Sequence, residues 1–237
     1  MNLLLIEQED LTDADRAVIS GRRLQHMLEV HRVNAGDTLK AGLIGGNMGT
    51  ATILSLSSQQ AELQLHLDQP PPPPLPTTLI LALPRPKMLR RVLQTVAAMG
   101  VKQLYLFNSY RVEKSFWQSP FLQADAIREQ LILGLEQARD TTLPQVHLRQ
   151  RFKPFVEDEL PAIAENTKAL VAHPKNATPC PIDVSEATTL AVGPEGGFID
   201  YEVDKLVKCG FEAVSLGPRI LRVETAVPVI LSRVYPG

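Results

Sequence analysis

Residues 70–76 contain six prolines and one leucine, and this run most constrains how the chain can fold. Proline has no backbone N–H and a fixed φ, so such a run cannot lie inside a helix or a central strand. It favours a stiff, extended polyproline segment. The residue patterns on its two sides differ, and we therefore interpret residues 69–76 as a linker between domains 1–68 and 77–237. A ligand for a proline-binding module is the less favoured reading.

The region before the prolines has the pattern of short β-strands. Apolar runs occur at 37–44, 50–56 and 61–67, and the last of them alternates apolar and polar residues. The first ten residues, MNLLLIEQED, have no basic segment before the apolar run and indicate a strand, not a signal peptide. With one helical stretch near residues 24–28, this spacing predicts a small all-β barrel.

After the prolines, predicted strands alternate with predicted helices. Apolar runs typical of strands occur at 78–83, 101–107, 146–148, 169–172, 189–192 and 213–216. Helical spacing of apolar residues occurs at 88–99, 124–139, 156–165, 200–209 and 224–233, with Asp200 as the expected N-cap of the fourth helix. This alternation predicts an α/β domain with a mostly parallel sheet covered on both faces.

Composition does not mark the chain as a general nucleic-acid binder. The net charge is −2 overall, −4 for residues 1–76 and +2 for residues 77–237, far from the basic balance of phosphate binders. Any RNA contact must come from two local clusters, each by itself more typical of a solvated surface: Arg22, Arg23, His26, His31 and Arg32, and then Arg85, Lys87, Arg90 and Arg91.

The chain has no apolar stretch of 18 residues and only two cysteines, Cys180 and Cys209, in no CxxC pair. These features predict no membrane span and two reduced thiols, and hence a cytoplasmic protein. Dinucleotide, P-loop, nucleophile-elbow and zinc-protease motifs are absent from the sequence, and the five histidines have no metal-ligand spacing. No metal is expected.

Three loops follow predicted strands, where parallel sheets bind ligands. They cover residues 172–174, 193–198 and 216–226. Three glycines in the second loop exceed what one turn needs and would allow backbone to approach a ligand. In the third loop, arginines near a helix start are disfavoured by the helix dipole unless they face an anion. A structural pair of Arg222 with Glu224 is the alternative, and for His173 a turn or core role is favoured.

The segments AVGPEGGF (191–198) and SLGPRILRVETA (215–226) together resemble the signature of the SPOUT methyltransferases. More narrowly, they are similar to the ribosomal small-subunit RNA methyltransferase E family, which modifies uridine at N3. Weaker similarity covers 81–100, Arg111, Glu136-Gln137, His173-Pro174-Lys175 and, in a PUA-like N-terminal module, His26, Val30 and Arg32. The chain departs from the family on its presumed RNA-facing side, at Thr95, Ala98, Met99 and around Arg139.

The resemblance implies a PUA-like β-barrel followed by an α/β domain with a C-terminal trefoil knot, in a homodimer that acts on ribosomal RNA of the small subunit. It also implies S-adenosyl-L-methionine as cofactor, bound by Ala172, His173, Gly193, Pro194, Glu195, Gly196, Gly197, Leu216, Gly217, Ile220, Leu221, Arg222, Thr225 and Ala226. RNA would be bound by Arg22, Arg23, His26, Arg32, Arg85, Lys87, Arg90 and Arg91.

Methylation of uridine N3 requires loss of the N3 proton, and therefore a base or a group that stabilises the anion. We expect Arg222, and after it Arg111, to stabilise the charge. Glu195 or Glu224 would take the proton or orient an arginine. Two alternatives stay open from the sequence: a 2′-O-ribose methyltransferase of the same superfamily, and a non-catalytic ribosome-assembly factor.

Overall fold

The computed structural model describes residues 2–236, which form two compact units. Of the described residues, one unit comprises 2–73 and 132–143, and the other comprises 74–131 and 144–236. The division therefore falls within the proline run. Ile132–Leu143, which we expected in the second domain, clusters with the first unit.

The first unit contains a six-stranded half-barrel sheet, in which only the β1–β4 pair is parallel. The strand order is β1-β4-β5-β6-β3-β2. Its helix α1 (Gly21–His26) continues into a π-helical turn, Met27–His31, that ends at Arg32 with a φ of 52°. The strands are β1 (Leu4–Ile6), β2 (Leu11–Asp13), β3 (Arg16–Ile19), β4 (Thr38–Leu43), β5 (Met48–Leu56) and β6 (Ala61–Gln69).

Alternation along β6 decides which face of this sheet is the core. Ala61, Leu63 and Leu65 are buried, while Glu62 and His66 on the other face are exposed. A period of two is required because successive side chains of a strand point to opposite faces. The predicted strands of this region are confirmed.

The second unit contains a seven-stranded sheet in which every neighbouring pair is parallel, with the order β11-β13-β10-β12-β7-β8-β9. The strands are β7 (Thr77–Ala82), β8 (Gln103–Phe107), β9 (Gln145–Arg149), β10 (Lys168–Ala172), β11 (Thr178–Pro179), β12 (Thr188–Val192) and β13 (Glu212–Ser215). The remaining helices are α2 (Pro86–Ala98), α3 (Ala124–Ala138), α4 (Phe152–Pro154), α5 (Leu160–Ile163), α6 (Asp200–Lys208) and α7 (Val223–Val234).

Central strands of this sheet are almost entirely buried because helices cover both faces. All five residues of β12 are buried, and its threonines are satisfied by hydroxyls on neighbouring segments. Helix α2 begins with Pro86, whose missing N–H has no intrahelical partner to lose at that position. Its apolar stripe is buried at Leu89, Val92, Leu93 and Val96. The predicted α/β class is confirmed.

Two local predictions are wrong. Asp200 is the first residue of α6 and not its N-cap, which is Ile199. The helix expected at 156–165 is instead α4, a π-helical turn (Phe155–Glu159) and α5, in a segment where Pro154 and Pro161 cannot donate hydrogen bonds. Pro228 lies in the second turn of α7, beyond the first turn where its missing N–H would cost nothing. None of the helices formed by residues 2–236 is long and apolar enough to span a membrane.

Candidate active site

A cavity of about 600 Å³ opens at the carboxyl ends of the neighbouring strands β13, β10 and β12. The segments that leave these strands line it, at 172–175, 192–200 and 214–226. Adjacent parallel strands end at the same edge of a sheet, which brings distant segments of sequence together there. The volume lies within the range of small-molecule pockets, about 300–1,000 Å³.

The sequence assigned fourteen residues to the cofactor, and all of them except Arg222 and Thr225 line this cavity. The residues inside it are Ala172, His173, Gly193, Pro194, Glu195, Gly196, Gly197, Leu216, Gly217, Ile220, Leu221 and Ala226. The sequence analysis missed further lining residues in or beside the same loops, among them Lys175, Val192, Ile199, Asp200, Ser215, Arg219 and Val223. The only feature of the sequence that could have indicated these residues was their position in or beside the three loops.

The glycines of the second loop lie in different surroundings, each of which disfavours a side chain. A Cβ at Gly193 would lie 3.1 Å from the backbone nitrogen of Phe198, and one at Gly196 would lie 2.9 Å from Cδ of Arg111. Gly197 has a φ of +72°, which side-chain-bearing residues rarely adopt, and its N–H closes a turn on the carbonyl of Pro194 at 2.7 Å. Bare backbone therefore forms this wall of the cavity.

The third loop combines a glycine of positive φ with apolar side chains, one of which is exposed. Gly217 has a φ of +123°, and its N–H donates to Oγ of Ser215 at 3.2 Å. Ile220 is 88% exposed although it lines the cavity, while Leu216 and Leu221 are half-buried. Apolar groups of this kind offer a ligand a hydrophobic surface at an open mouth.

Arg222 is the N-cap residue of α7, and its side chain is exposed. No ion pair or hydrogen bond joins its guanidinium to Glu224, or to any other side chain, within residues 2–236. The structural pair with Glu224, which the sequence left as an alternative, is thus not formed. Neither residue lines the cavity.

Glu195 is held at the start of α2. Its Oε1 accepts a hydrogen bond from the backbone N–H of Arg85, the N-cap residue of that helix, at 2.9 Å. A carboxylate is favoured there by the helix dipole. The contact ties the glycine loop to the start of α2, and Glu195 orients a backbone segment in this structure instead of an arginine side chain.

Arg111 comes from the loop after β8 and lies across the glycine loop. Its guanidinium donates to the carbonyl oxygen of Gly196, and its side chain lines the cavity. Since a guanidinium has five N–H donors, this contact leaves donors for a ligand. Of the two arginines considered for catalysis, Arg111 is the one at the cavity.

A buried carboxylate that sequence reasoning missed joins these two loops. Glu202 is 2% exposed, and its oxygens accept from the N–H of Tyr110 at 2.7 Å and of Ile199 at 3.0 Å. The signal was available, since Glu at the third helical position is typical of a capping box. Assigning Asp200 as the N-cap moved the helix start by one residue and concealed it.

His173 supports its own loop. Its Nδ1 lies 2.9 Å from the carbonyl oxygen of Lys175 and 3.3 Å from the N–H of the same residue. This local contact agrees with the turn role favoured from sequence. Cys180 and Cys209 are free thiols whose pKa is raised by burial, so they stay protonated at neutral pH and are poor nucleophiles.

In the first basic cluster, two arginines are engaged within the first unit. Arg22 makes two hydrogen bonds to the carboxylate of Glu136, at 2.8 and 3.1 Å, and that carboxylate is 4% exposed. Arg23 binds Asp10 at 2.5 and 2.8 Å, with its side chain 17% exposed. Such pairing favours a structural role for Arg22 and Arg23, while Arg32 is exposed.

His26 belongs to the same cluster. Partial burial lowers its pKa, and the imidazole of His31, whose ring centroid lies 5.1 Å away, lowers it further whenever both rings carry a proton charge. His26 is therefore mostly neutral at neutral pH and would meet RNA as a hydrogen-bonding group.

In the second basic cluster, four exposed side chains lie at or near the start of α2: Arg85, Lys87, Arg90 and Arg91. The guanidinium of Arg90 lies 5.2 Å from the ring centroid of Phe121. The other three are available to an anion. No group of three or more His, Cys, Asp or Glu side chains within residues 2–236 could hold a metal ion.

Comparisons with known proteins concern nearly the whole chain. A family described as RNA methyltransferase domain matches residues 71–235. The ribosomal RNA small subunit methyltransferase E of Treponema pallidum (strain Nichols) is 31% identical over 236 residues, which cover 95% of this chain and 87% of that protein. The enzyme of the same name from Bacillus subtilis (strain 168) is 23% identical and covers 97% of this chain and 93% of its own length.

Solved structures show the same architecture. The crystal structure of a ribosomal RNA small subunit methyltransferase E from Neisseria gonorrhoeae, bound to S-adenosyl methionine, is similar with a TM-score of 0.75 and 25% identity. The likeness covers 98% of this chain and 96% of that one.

Proposed function

Since this chain belongs to the ribosomal RNA small subunit methyltransferase E family, we propose that it transfers a methyl group from S-adenosylmethionine to N3 of a uridine in small-subunit ribosomal RNA. The observation that carries the proposal is the cavity at the ends of β13, β10 and β12, whose lining includes both sequence segments that resemble the family signature.

The residues of the cavity suit the cofactor. Bare backbone at Gly193, Gly196 and Gly197 allows a flat adenosine ring system to approach main-chain amides. Leu216 and Leu221 add apolar surface to the lining of the same cavity. S-adenosylmethionine, when bound, supplies a methyl group on a positively charged sulfur.

The protein must then help N3 of the uridine to lose its proton, because the neutral imide nitrogen has no available lone pair. The charge that develops spreads to the two carbonyl oxygens of the base, and a fixed donor beside them lowers the barrier. Arg111 is suited to this role, since its guanidinium lies at the cavity and is oriented by the carbonyl of Gly196.

We therefore rank Arg111 before Arg222 for charge stabilisation. Arg222 is exposed, and its guanidinium has no protein partner within residues 2–236, so its part in catalysis requires a contact made only with RNA present. The proton acceptor stays a prediction. Glu195 is engaged by the backbone N–H of Arg85, which favours an orienting role and leaves Glu224 or solvent for the proton.

Ribosomal RNA of the small subunit is the proposed partner, and a cytoplasmic location follows from that substrate. Exposed residues Arg32, Lys87 and Arg91 are the favoured phosphate contacts. The homodimer and the trefoil knot that the family resemblance implies stay predictions. Sedimentation equilibrium of the purified protein tests the first of these.

The decisive experiment measures methylation of small ribosomal subunits from a strain that lacks this protein. Purified protein and labelled S-adenosylmethionine should transfer one methyl group per particle, and mass spectrometry of digested RNA should find it on the base of a uridine. Label on a ribose would replace the proposal with 2′-O methylation. Cofactor binding without any transfer would favour an assembly factor.

The ranking of the arginines is tested by single-turnover methylation with Arg111→Ala and Arg222→Ala. Loss of a charge-stabilising donor should reduce the rate of the Arg111 variant by roughly 10²–10³-fold, with a much smaller change in cofactor affinity. A normal rate for Arg111→Ala beside a slow Arg222→Ala would reverse the ranking. Thermal melts of both variants separate loss of chemistry from loss of folding.

A further inference from the structure

The loop after β8 presents two adjacent side chains at the tip of a tight turn. The N–H of Val112 donates to the carbonyl of Ser109 at 3.0 Å, which makes Tyr110 and Arg111 the central residues of the turn. The two flanking residues are buried, with exposures of 1% for Ser109 and 7% for Val112. The turn is therefore anchored at both ends while its tip faces outward.

Further contacts fix the backbone of this turn. The buried carboxylate of Glu202 accepts from the N–H of Tyr110 at 2.7 Å. One residue before the turn, Asn108 accepts a hydrogen bond from Nε1 of Trp117 at 2.9 Å. A group displayed on a fixed backbone loses little conformational freedom when it binds a partner.

Tyr110 is 79% exposed, and no ring stacking, cation contact or side-chain hydrogen bond engages it within residues 2–236. The other aromatic side chains of the neighbouring elements differ in this respect. Phe198 is 4% exposed and packs with Phe107, and Tyr201 on α6 contacts Phe152 and Lys205. Tyr110 is thus an unengaged aromatic ring directly beside Arg111, which lines the cofactor cavity.

The proposed reaction needs such a ring. N3 of uridine lies on the pairing edge of the base, so the base must be unpaired and moved out of its stack before the methyl group can reach it. This costs free energy, which proteins offset by stacking the displaced base on an aromatic side chain.

We propose that Tyr110 is the stacking platform for the target uridine, with Arg111 addressing the carbonyl oxygens of the same base. This inference rests on the proposed function, because it supplies the subsite for the substrate of that reaction. Adjacent positions in one turn allow the ring to hold the face of the base while the guanidinium reaches its edge.

The test compares Tyr110→Ala and Tyr110→Phe with Tyr201→Ala, a matched control that removes another exposed tyrosine ring already in contact with protein groups. Each variant is assayed for cofactor affinity by calorimetry and for single-turnover methylation over a range of small-subunit concentrations and salt. Tyr110→Ala should lower the apparent second-order rate constant for the particles by roughly 5- to 150-fold, the effect of losing one stacked base. Cofactor affinity should not change.

Tyr110→Phe should retain wild-type behaviour, because the ring and not the hydroxyl makes the stack. The loss in Tyr110→Ala should be equal at every salt concentration, since an uncharged ring releases no counterions. Equal rates for Tyr110→Ala and Tyr201→Ala would overturn the inference, as would failure of the Phe variant. If the wild-type protein itself does not methylate the particles, the proposed function fails instead.

Discussion

Replacement of Glu202 by alanine removes the one carboxylate that holds the Tyr110 turn and the start of α6 together. The side chain is 2% exposed and accepts from two backbone N–H groups, at 2.7 Å from Tyr110 and 3.0 Å from Ile199. Glu202→Ala leaves both donors without that acceptor. Glu202→Gln keeps one acceptor oxygen but turns an amide N–H₂ toward the second donor.

The magnitude follows from the two bonds. A hydrogen bond to a charged group contributes about 1.5–3 kcal/mol, and an unsatisfied buried donor costs a similar amount. Glu202→Ala should therefore lower the free energy of unfolding by about 3–6 kcal/mol, and Glu202→Gln by about half as much. For a chain of this size, each kcal/mol corresponds to a fall of about 2–4 °C in Tm.

Urea unfolding followed by circular dichroism measures these changes. Asp204→Ala is the matched control, since it removes an exposed carboxylate from the same helix. The alanine variant should also lose methylation activity more than cofactor affinity, because the turn that carries Tyr110 and Arg111 is released. A free energy of unfolding for Glu202→Ala within about 0.5 kcal/mol of the Asp204 control would refute the reasoning.

Three further predictions concern the cofactor, RNA and pH. Gly197→Val places a branched residue at a φ of +72°, which costs about 1–2 kcal/mol. The variant should not bind S-adenosylmethionine in calorimetric titration, and an unchanged affinity would show that this loop is not part of the cofactor site. Arg32→Ala and Arg91→Ala should each reduce the magnitude of the slope of log affinity for RNA against log salt concentration by about 1 or less. An unaltered slope in both variants would show that neither arginine contacts a phosphate. Burial, followed by the charge of Arg149, lowers the pKa of His147 below 6.5 in the folded protein. As the pH falls through 6.5, the unfolded chain therefore takes up a proton at this histidine more readily than the folded protein does, and the free energy of unfolding should decrease. In thermal melts between pH 7 and 5, about the range where histidine titrates, the Tm of His147→Gln should therefore fall less than that of the wild-type protein. An equal fall in Tm for the two proteins would contradict a lowered pKa of His147.

Much of the fold could be predicted because the patterns are local. The alternation of residues 61–67 predicted β6, and the helical spacing of Leu89, Val92 and Leu93 predicted α2. A prediction was wrong where the first residue of a helix had to be chosen between two neighbouring positions. Asp200 has the side chain of a typical N-cap, yet the cap is Ile199, because Glu202 satisfies that N–H with its carboxylate.

The candidate site, too, could be predicted only in part from the sequence. The glycines at 193, 196 and 197 and the arginine-containing segment 215–226 are sequence features, and they were sufficient to indicate the cofactor loops. Sequence could not show which charged side chains face the cavity. Arg222 was ranked first because it lies in the signature, whereas the structure places Arg111 at the cavity and Arg222 outside its lining.

By itself, the sequence of this protein indicated most of its strands and helices, a division at the proline run and the family to which it belongs. These depend on periodicity, proline and glycine positions and short motifs, all of which act over a few residues. The tertiary structure decided which distant groups meet: Glu195 with the start of α2, Arg111 with Gly196, and Glu202 with the Tyr110 turn. These pairs are separated by between 85 and 110 residues. Only the order of strands in the parallel sheet brings them to one edge, and that order is set by packing of the whole domain.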